Sequence, residues 1–168
     1  MKITVISDTH SWLDDKALKY LDDADEIWHA GDIGSIEVYD QLNDFTGKLR
    51  AVNGNIDGHD IIQVAPEYQA FNIDDNSILI THIAANPPKY NREVRKLIFK
   101  YKPNILVCGH SHILKVLHDK WSNLLFINPG ACGRHGFHKV RTLIVFEIIN
   151  GKPQKMNAIE LGQRGKIL

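Results

Sequence analysis

"KITVISDTH", residues 2–10, opens with an apolar, β-branched run and ends on an aspartate and a histidine. The run reads as a buried strand. "LDDKALKYLDDA" (13–24) follows, with Leu13, Ala17, Leu18 and Leu21 at helical spacing and Asp14 or Asp15 placed to cap the helix. "DEIWHA" (25–30) is a second strand. "SIEVYDQLNDF" (35–45), with Ile36, Tyr39 and Leu42 in step and Ser35 as cap, is a second helix, and "KLRAVN" (48–53) a third strand. Strand and helix alternate, which implies parallel strands joined by crossover helices.

Further along, the pattern changes. "YQAFNID" (68–74) and "SILITH" (77–82) read as a β-hairpin around "DN" at 75–76. "NREVRKLIFKYK" (91–102) is an amphipathic helix with a solvated charged face, stopped by Pro103. Strands follow at "NILVCG" (104–109), "ILKVLHD" (113–119), "LLFIN" (124–128) and "RTLIVFEII" (141–149), with an edge strand at "PQKMNAIEL" (153–161). No repeat, low-complexity segment or linker interrupts the chain. The expectation is one α/β domain over residues 1–168, with parallel units first and antiparallel hairpins later.

Composition narrows the function classes. The 168 residues are 43% hydrophobic and 24% charged, ordinary for a globular protein. Twenty basic and twenty acidic residues cancel, which argues against binding polymeric nucleic acid through its backbone charge. Cys108 and Cys132 form no CxxC and read as inert thiols in a reducing cytoplasm. The first residues are too short an apolar run for a signal peptide, and no stretch approaches the ~20 apolar residues that span a bilayer.

The unusual feature is nine histidines, several beside Gly, Asp or Asn. Asp8 and His10 follow the first strand and Asp32 the second. Asn55 and Asp57 follow the third. His82 ends "SILITH", and His110 and His112 follow "NILVCG". The C-terminal ends of strands in an open α/β sheet line one crevice, where ligands bind. Carboxylate, amide and imidazole donors without a thiolate suit Mn²⁺, Fe²⁺, Ni²⁺ or Zn²⁺. Leaving Asp57 aside, the seven remaining donors exceed the needs of one four-coordinate ion. Two ions sharing a carboxylate would use them all, at the roughly 3.5–4 Å separation of two-metal phosphoryl-transfer sites. Asp8 and His10, two residues apart, point the same way from extended backbone and reach one ion; His110 and His112, also two apart, have the roughly 6–7 Å Cα separation that lets a pair straddle two ions. Gly31, Gly54 and Gly109 each directly precede a candidate ligand.

"DTH" (8–10), "GD" (31–32), "GNID" (54–57), "TH" (81–82) and "GHSH" (109–112), in this order, resemble the calcineurin-like metallophosphoesterases. The chain looks like their small prokaryotic phosphodiesterase branch, whose fold is similar to that of Vps29. The resemblance spans roughly residues 3–150. It implies a four-layer α/β/β/α sandwich of two mixed sheets flanked by helices. It implies two divalent metal ions, Mn first, with Fe, Ni or Zn as alternatives. Asp8, His10, Asp32 and His112 would hold one ion; Asp32, Asn55, His82 and His110 would hold the other, and a hydroxide between them would attack phosphorus. Asp32, Asn55, Asp57 and His82 are the expected catalytic residues.

"NPGACGRHGFHK" (128–139) corresponds to the family's "NPGS" loop. By resemblance, Asn128 and Gly130 shape the pocket floor, and Arg134, His135 and His138 reach a phosphate or base of the substrate. Two departures stand out. Where larger members have "GNHE", with the histidine protonating the leaving group, this chain has Ile56, leaving Asp57, His59, His135 and His138 as candidate acids. After His82, where relatives carry glycine and another histidine, it has Ile83 and Ala84. The function expected is hydrolysis of small phosphodiesters, in the cytoplasm, with no membrane or nucleic-acid partner and room for a homo-oligomer. The alternatives are a Vps29-like protein-binding scaffold and a phosphomonoesterase.

Overall fold

The computed structural model describes residues 1–165. β1 (Lys2–Ile6), α1 (Asp15–Asp22), β2 (Glu26–His29), α2 (Ile36–Asn43) and β3 (Lys48–Ala51) alternate along the first third. A short α3 (His59–Val64) follows, then β4 (Tyr68–Ile73), β5 (Asn76–Thr81), β6 (Ala85–Asn86), β7 (Lys89–Tyr90) and α4 (Arg92–Tyr101). The chain finishes with β8 (Ile105–Val107), β9 (Leu114–Asp119), β10 (Leu124–Pro129), β11 (Val140–Ile149) and β12 (Lys152–Gln163).

Two five-stranded sheets result, ordered β12-β11-β1-β2-β3 and β4-β5-β8-β10-β9. Within each, three strands run parallel: β1, β2 and β3 in one, β5, β8 and β10 in the other. Antiparallel β11, β12, β4 and β9 complete the sheets, with β12 at an edge.

Strand alternation builds the layers. Ile3, Val5, Trp28 and Phe146 of the first sheet meet Ile78, Ile80, Val107 and Ile127 of the second in one buried cluster. On the other face of the first sheet, Ile27 and Leu143 pack with Ala17, Leu21, Val38, Leu42 and Ile61 of α1, α2 and α3. Beyond the second sheet, Leu79, Leu106 and Phe126 pack with Val94 and Leu97 of α4. The order is therefore helices, sheet, sheet, helix: the expected four-layer α/β/β/α sandwich. Trp28 anchors the middle layer, edge-on to Phe71 and Phe146 at 5.6 and 5.5 Å.

Local chemistry sets the helix ends. Asp14 accepts the N–H of Ala17 at 2.9 Å, and Asn91 accepts that of Val94 at 2.9 Å. α4 ends at Lys102 in the left-handed region (φ 46°), just before Pro103. Ser35 stands at the N-cap of α2 in extended conformation without a side-chain cap bond. The 68–82 hairpin differs from expectation by one residue. Its turn is Asp74–Asp75, because Ile73 pairs with Asn76 and Asp74 takes a left-handed φ of 49°. Asn76 is buried, its amide donating to the carbonyls of Ile73 and Gly151. No helix among the described residues is long and apolar enough to cross a membrane.

Candidate metal centre

The parallel strands of both sheets release their loops at one end of the sandwich. Backbone bonds join these loops: Asp8 N–H to Gly31 O (3.0 Å), Gly109 N–H to His82 O (3.0 Å) and Gly133 N–H to Asp8 O (3.0 Å). Asp8, His10, Asp32, His110 and His112 all have positive φ, between 48° and 66°. Left-handed backbone costs an L-residue roughly 1–2 kcal/mol, and such strain clusters where function needs a fixed side-chain direction. Here the five strained residues all point into one site.

Two donor groups form there. Asp8, His10 and His112 make the first and Asp32, His82 and His110 the second, with the ligand atoms of each group within 4.8 Å of one another. Asp32 lies between them. Its Oδ1 is 3.2 Å from His82 Nε2, and its Oδ2 is 3.7 Å from His10 Nε2. Asn55 joins the second group, its Oδ1 3.1 Å from His82 Nε2.

The neighbouring atoms leave lone pairs aimed inward. His82 Nδ1 lies 2.7 Å from the carbonyl of Ala30. A carbonyl only accepts, so Nδ1 carries the proton and Nε2 faces the acidic and amide oxygens. Asp8 Oδ2 accepts from Ser7 Oγ (2.6 Å) and from His110 N–H (3.1 Å). Asp8 Oδ1 and His10 Nε2 are buried with no hydrogen-bond partner. Buried polar atoms are nearly always paired, and a divalent cation accepts the lone pairs that these two leave over. The donor set therefore fits metal ions that bind oxygen and imidazole nitrogen.

Electrostatics agree. Burial pulls the His82 pKa down, but the Asp32 hydrogen bond and the Asp8 and Asp32 charges overcome it and raise the pKa. Burial pushes Asp32 up, yet the hydrogen bond and charge of His82 and the Ile56 N–H hold it low. For His10, burial outweighs the pull of Asp32 and Asp8, so its pKa falls. Without a cation, the Asp32 carboxylate draws a proton to His82; a bound ion takes that proton's place.

Residues 1–151 match the calcineurin-like phosphoesterase superfamily domain. The chain belongs to that superfamily. It is 28% identical over 138 residues to a probable metallophosphoesterase of Methanothermobacter thermautotrophicus, covering 78% of this chain and 77% of that one. It is 27% identical over 148 residues to phosphodiesterase MJ0936 of Methanocaldococcus jannaschii, covering 79% and 84%. In fold it is similar to Vps29 of Entamoeba histolytica complexed with Zn²⁺, at a TM-score of 0.71 and 20% identity, covering 95% and 99%.

In this metallophosphoesterase, close approach requires glycine at two positions. A Cβ on Gly54 would lie 2.1 Å from Asp32 Oδ1, and one on Gly109 would lie 1.9 Å from Ser7 Oγ. Asp57 is buried beside Asp32. Its carboxylate accepts the N–H groups of Gly34 (2.7 Å), Gly54 (2.8 Å) and Ile33 (3.1 Å), tying the loop that carries Asp32 to the loop that carries Asn55. Ile56, 46% exposed, offers Asp32 Oδ1 only its backbone N–H, at 3.1 Å.

The 128–139 loop distributes its polar groups unevenly. Asn128 is buried; its amide donates to Gly109 O and Ser111 Oγ while its oxygen accepts from Gly130 N–H, which braces the turn bearing His110 and His112. Gly130, at φ 74°, packs against Thr142. Arg134 stacks over Trp12 at 3.7 Å, and His135 lies at the exposed rim with its ring 5.7 Å from that of His10. His138 lies behind His112, their Nδ1 atoms 3.1 Å apart.

Sequence reasoning missed Ser7, Trp12 and His29 as site residues. His29 is fully buried: Nδ1 accepts from Gly31 N–H at 3.2 Å, and Nε2 is 2.9 Å from Thr9 Oγ1, itself bonded to Ile33 O. Burial pushes its pKa down to about 3, so it spans the Thr9 and Gly31 loops as a neutral ring. The signal for Ser7 was a lone hydroxyl closing a buried apolar strand, where it must find a partner.

Proposed function

We propose that this chain is a dinuclear-metal-dependent phosphodiesterase acting on small phosphodiesters, with Mn²⁺ as the preferred ion. The observation that carries the reading is Asp32, whose two carboxylate oxygens face opposite donor groups, as a bridging ligand requires. Asp8, His10, Asp32 and His112 would hold one ion, and Asp32, Asn55, His82 and His110 the other. Bound there, two divalent ions supply Lewis acidity to a phosphoryl oxygen and a lowered pKa for attacking water.

The chain's own residues do the remaining work. Ser7 and the His110 N–H restrain Asp8 so that Oδ1 alone points inward. Ala30 O fixes the His82 tautomer, and Asp57 holds Asp32 and Asn55 in register. Position 56 offers no proton donor, so the leaving group must be stable as an anion or draw its proton from the rim around His135. Buried free Cys108 and Cys132 fit a reducing cytoplasm as the working compartment.

The test is hydrolysis of bis(p-nitrophenyl) phosphate across a panel of divalent metals, against p-nitrophenyl phosphate as the monoester. Turnover of the diester with Mn²⁺, abolished by Asp32→Ala, supports the reading. Full activity in Asp32→Ala ends this mechanism, faster monoester turnover favours a phosphomonoesterase, and no turnover with any metal favours the scaffold.

A further inference from the structure

Two clefts meet at the second donor group. The larger, of about 750 Å³, runs from Asn55 and His82 between α3 and α4, with Ile62, Ile83 and Leu97 along its wall and the charged Glu67, Arg92 and Glu93 lining it as well. The smaller, of about 400 Å³, runs from His110 past Ser111 to Asn86 and Lys115. Ile83 belongs to both and stands between them. The rings of His82 and His110, one in each cleft, are 5.2 Å apart.

The clefts differ in size and in the groups each presents along its length. Ile62 is 54% exposed and Ile83 41% exposed, an apolar lip that water disfavours and a ligand would cover. A cleft of this size and lining accommodates a planar or apolar group. In the smaller cleft the Lys115 ammonium is anchored 3.2 Å from Asn86 Oδ1, and Ser111 Oγ is held by the amide of Asn128. That end of the smaller cleft offers hydrogen bonds and a positive charge, beside the apolar Ala85, Ile113 and Phe126.

A phosphodiester carries two arms on one phosphorus atom, and here two clefts of unequal size diverge from one ligand group, the smaller ending on the Lys115 ammonium. A monoester would leave one of them idle. We infer that the substrate is an unsymmetrical phosphodiester, with a flat or apolar arm lying along Ile62, Ile83 and Leu97 and a short polar arm reaching Lys115. This rests on the phosphodiesterase reading of the same site, which a separate outcome tests.

The experiment compares p-nitrophenyl methyl phosphate with p-nitrophenyl 2-hydroxyethyl phosphate on the Mn²⁺-loaded chain. Ile62→Asp raises KM for both by about tenfold, the scale of one apolar contact in a binding pocket. Lys115→Ala raises KM for the hydroxyethyl ester severalfold and leaves the methyl ester unchanged. A binding readout accompanies the kinetics: the methyl ester of phenylphosphonate, which resists hydrolysis, shifts the NMR methyl signals of Ile62, Ile83 and Leu97 in the Zn²⁺-loaded chain.

Turnover that continues with KM unmoved in both variants overturns the two-arm assignment and leaves the phosphodiesterase reading standing. Phosphonate shifts confined to Ala85 and Ile113 overturn it as well, by placing the aromatic arm in the smaller cleft. Self-association that Ile62→Asp abolishes, with no phosphonate binding, gives the larger cleft to a second copy of the chain. Absence of turnover on any diester with any metal fells both readings together.

Discussion

His112 Nδ1 lies 3.1 Å from His138 Nδ1, and His138 Nε2 lies 3.0 Å from the carbonyl of Gly133. That carbonyl accepts only, so His138 donates through Nε2 and, as a neutral ring, presents a lone pair at Nδ1. His112 must then donate through its own Nδ1, which leaves its Nε2 free, 3.1 Å from Asp8 Oδ1. Burial lowers the pKa of His138, which favours its neutral ring. Replacing a group that orients a metal ligand typically weakens metal affinity 10–100-fold. His138→Phe is expected to show that loss by calorimetry with Mn²⁺. Nitrogen-15 NMR of the metal-free chain should show His112 protonated at Nδ1; protonation at Nε2 would break the relay.

Buried donors without partners make metal binding a stability term. Asp8 Oδ1 and His10 Nε2 are buried without a hydrogen-bond partner. An ion that binds only the folded state, at about 100 times its Kd, adds about 2.7 kcal/mol. For a chain of this size that is a Tm rise of roughly 5–10 °C. Scanning calorimetry with Mn²⁺ or Zn²⁺ should show it, and Asp8→Asn should remove most of it. An unchanged Tm on metal addition would mean that the donor groups hold no ion.

The four layers were legible because single strands carry period-two patterns: Ile3 and Val5 face one way, and Ile6 packs the other way against the helices. The polar blocks after the strands were legible because parallel strands bring their C-terminal ends together. α3 was not, since the six residues His59–Val64 are too few to display a helical period. Nor was the 85–90 hairpin, whose strands are two residues each. The partners of Asp57 and His138 were hidden for another reason. They are backbone groups and rings on other loops, and no pattern local to either residue encodes those bonds.

Gly54 tests how tightly Asp32 is packed. A Cβ there would lie 2.1 Å from Asp32 Oδ1 and 2.3 Å from its backbone nitrogen. Either the carboxylate or the loop must shift, and misplacement near 1 Å at a reacting centre costs about a hundredfold in rate. Gly54→Ala is expected to lose at least that much kcat with the fold retained. Gly58→Ala, four residues on, meets nothing within 4 Å and should be neutral. Equal rates in the two variants, measured on bis(p-nitrophenyl) phosphate, would deny Asp32 its fixed position.

His29 sets a pH dependence whose sign can be worked out. Its folded pKa is pushed down from an ordinary 6.5 to about 3 by burial. Between those values the unfolded chain binds a proton that the folded chain refuses, so stability rises with pH across this window. Above pH 6.5 the ring is neutral in both states and the contribution is flat. Each pH unit below it costs up to about 1.4 kcal/mol, until the folded ring protonates near pH 3. His29→Gln loses the bonds to Thr9 and Gly31, so it should be less stable than the parent at pH 7. Because it has no proton to refuse, its deficit should shrink by about 1 kcal/mol per unit as pH falls from 6 to 4. Urea midpoints for both proteins across that range provide the measurement. Parallel curves would mean that His29 is protonated in the folded chain and that its place between the two loops is held another way.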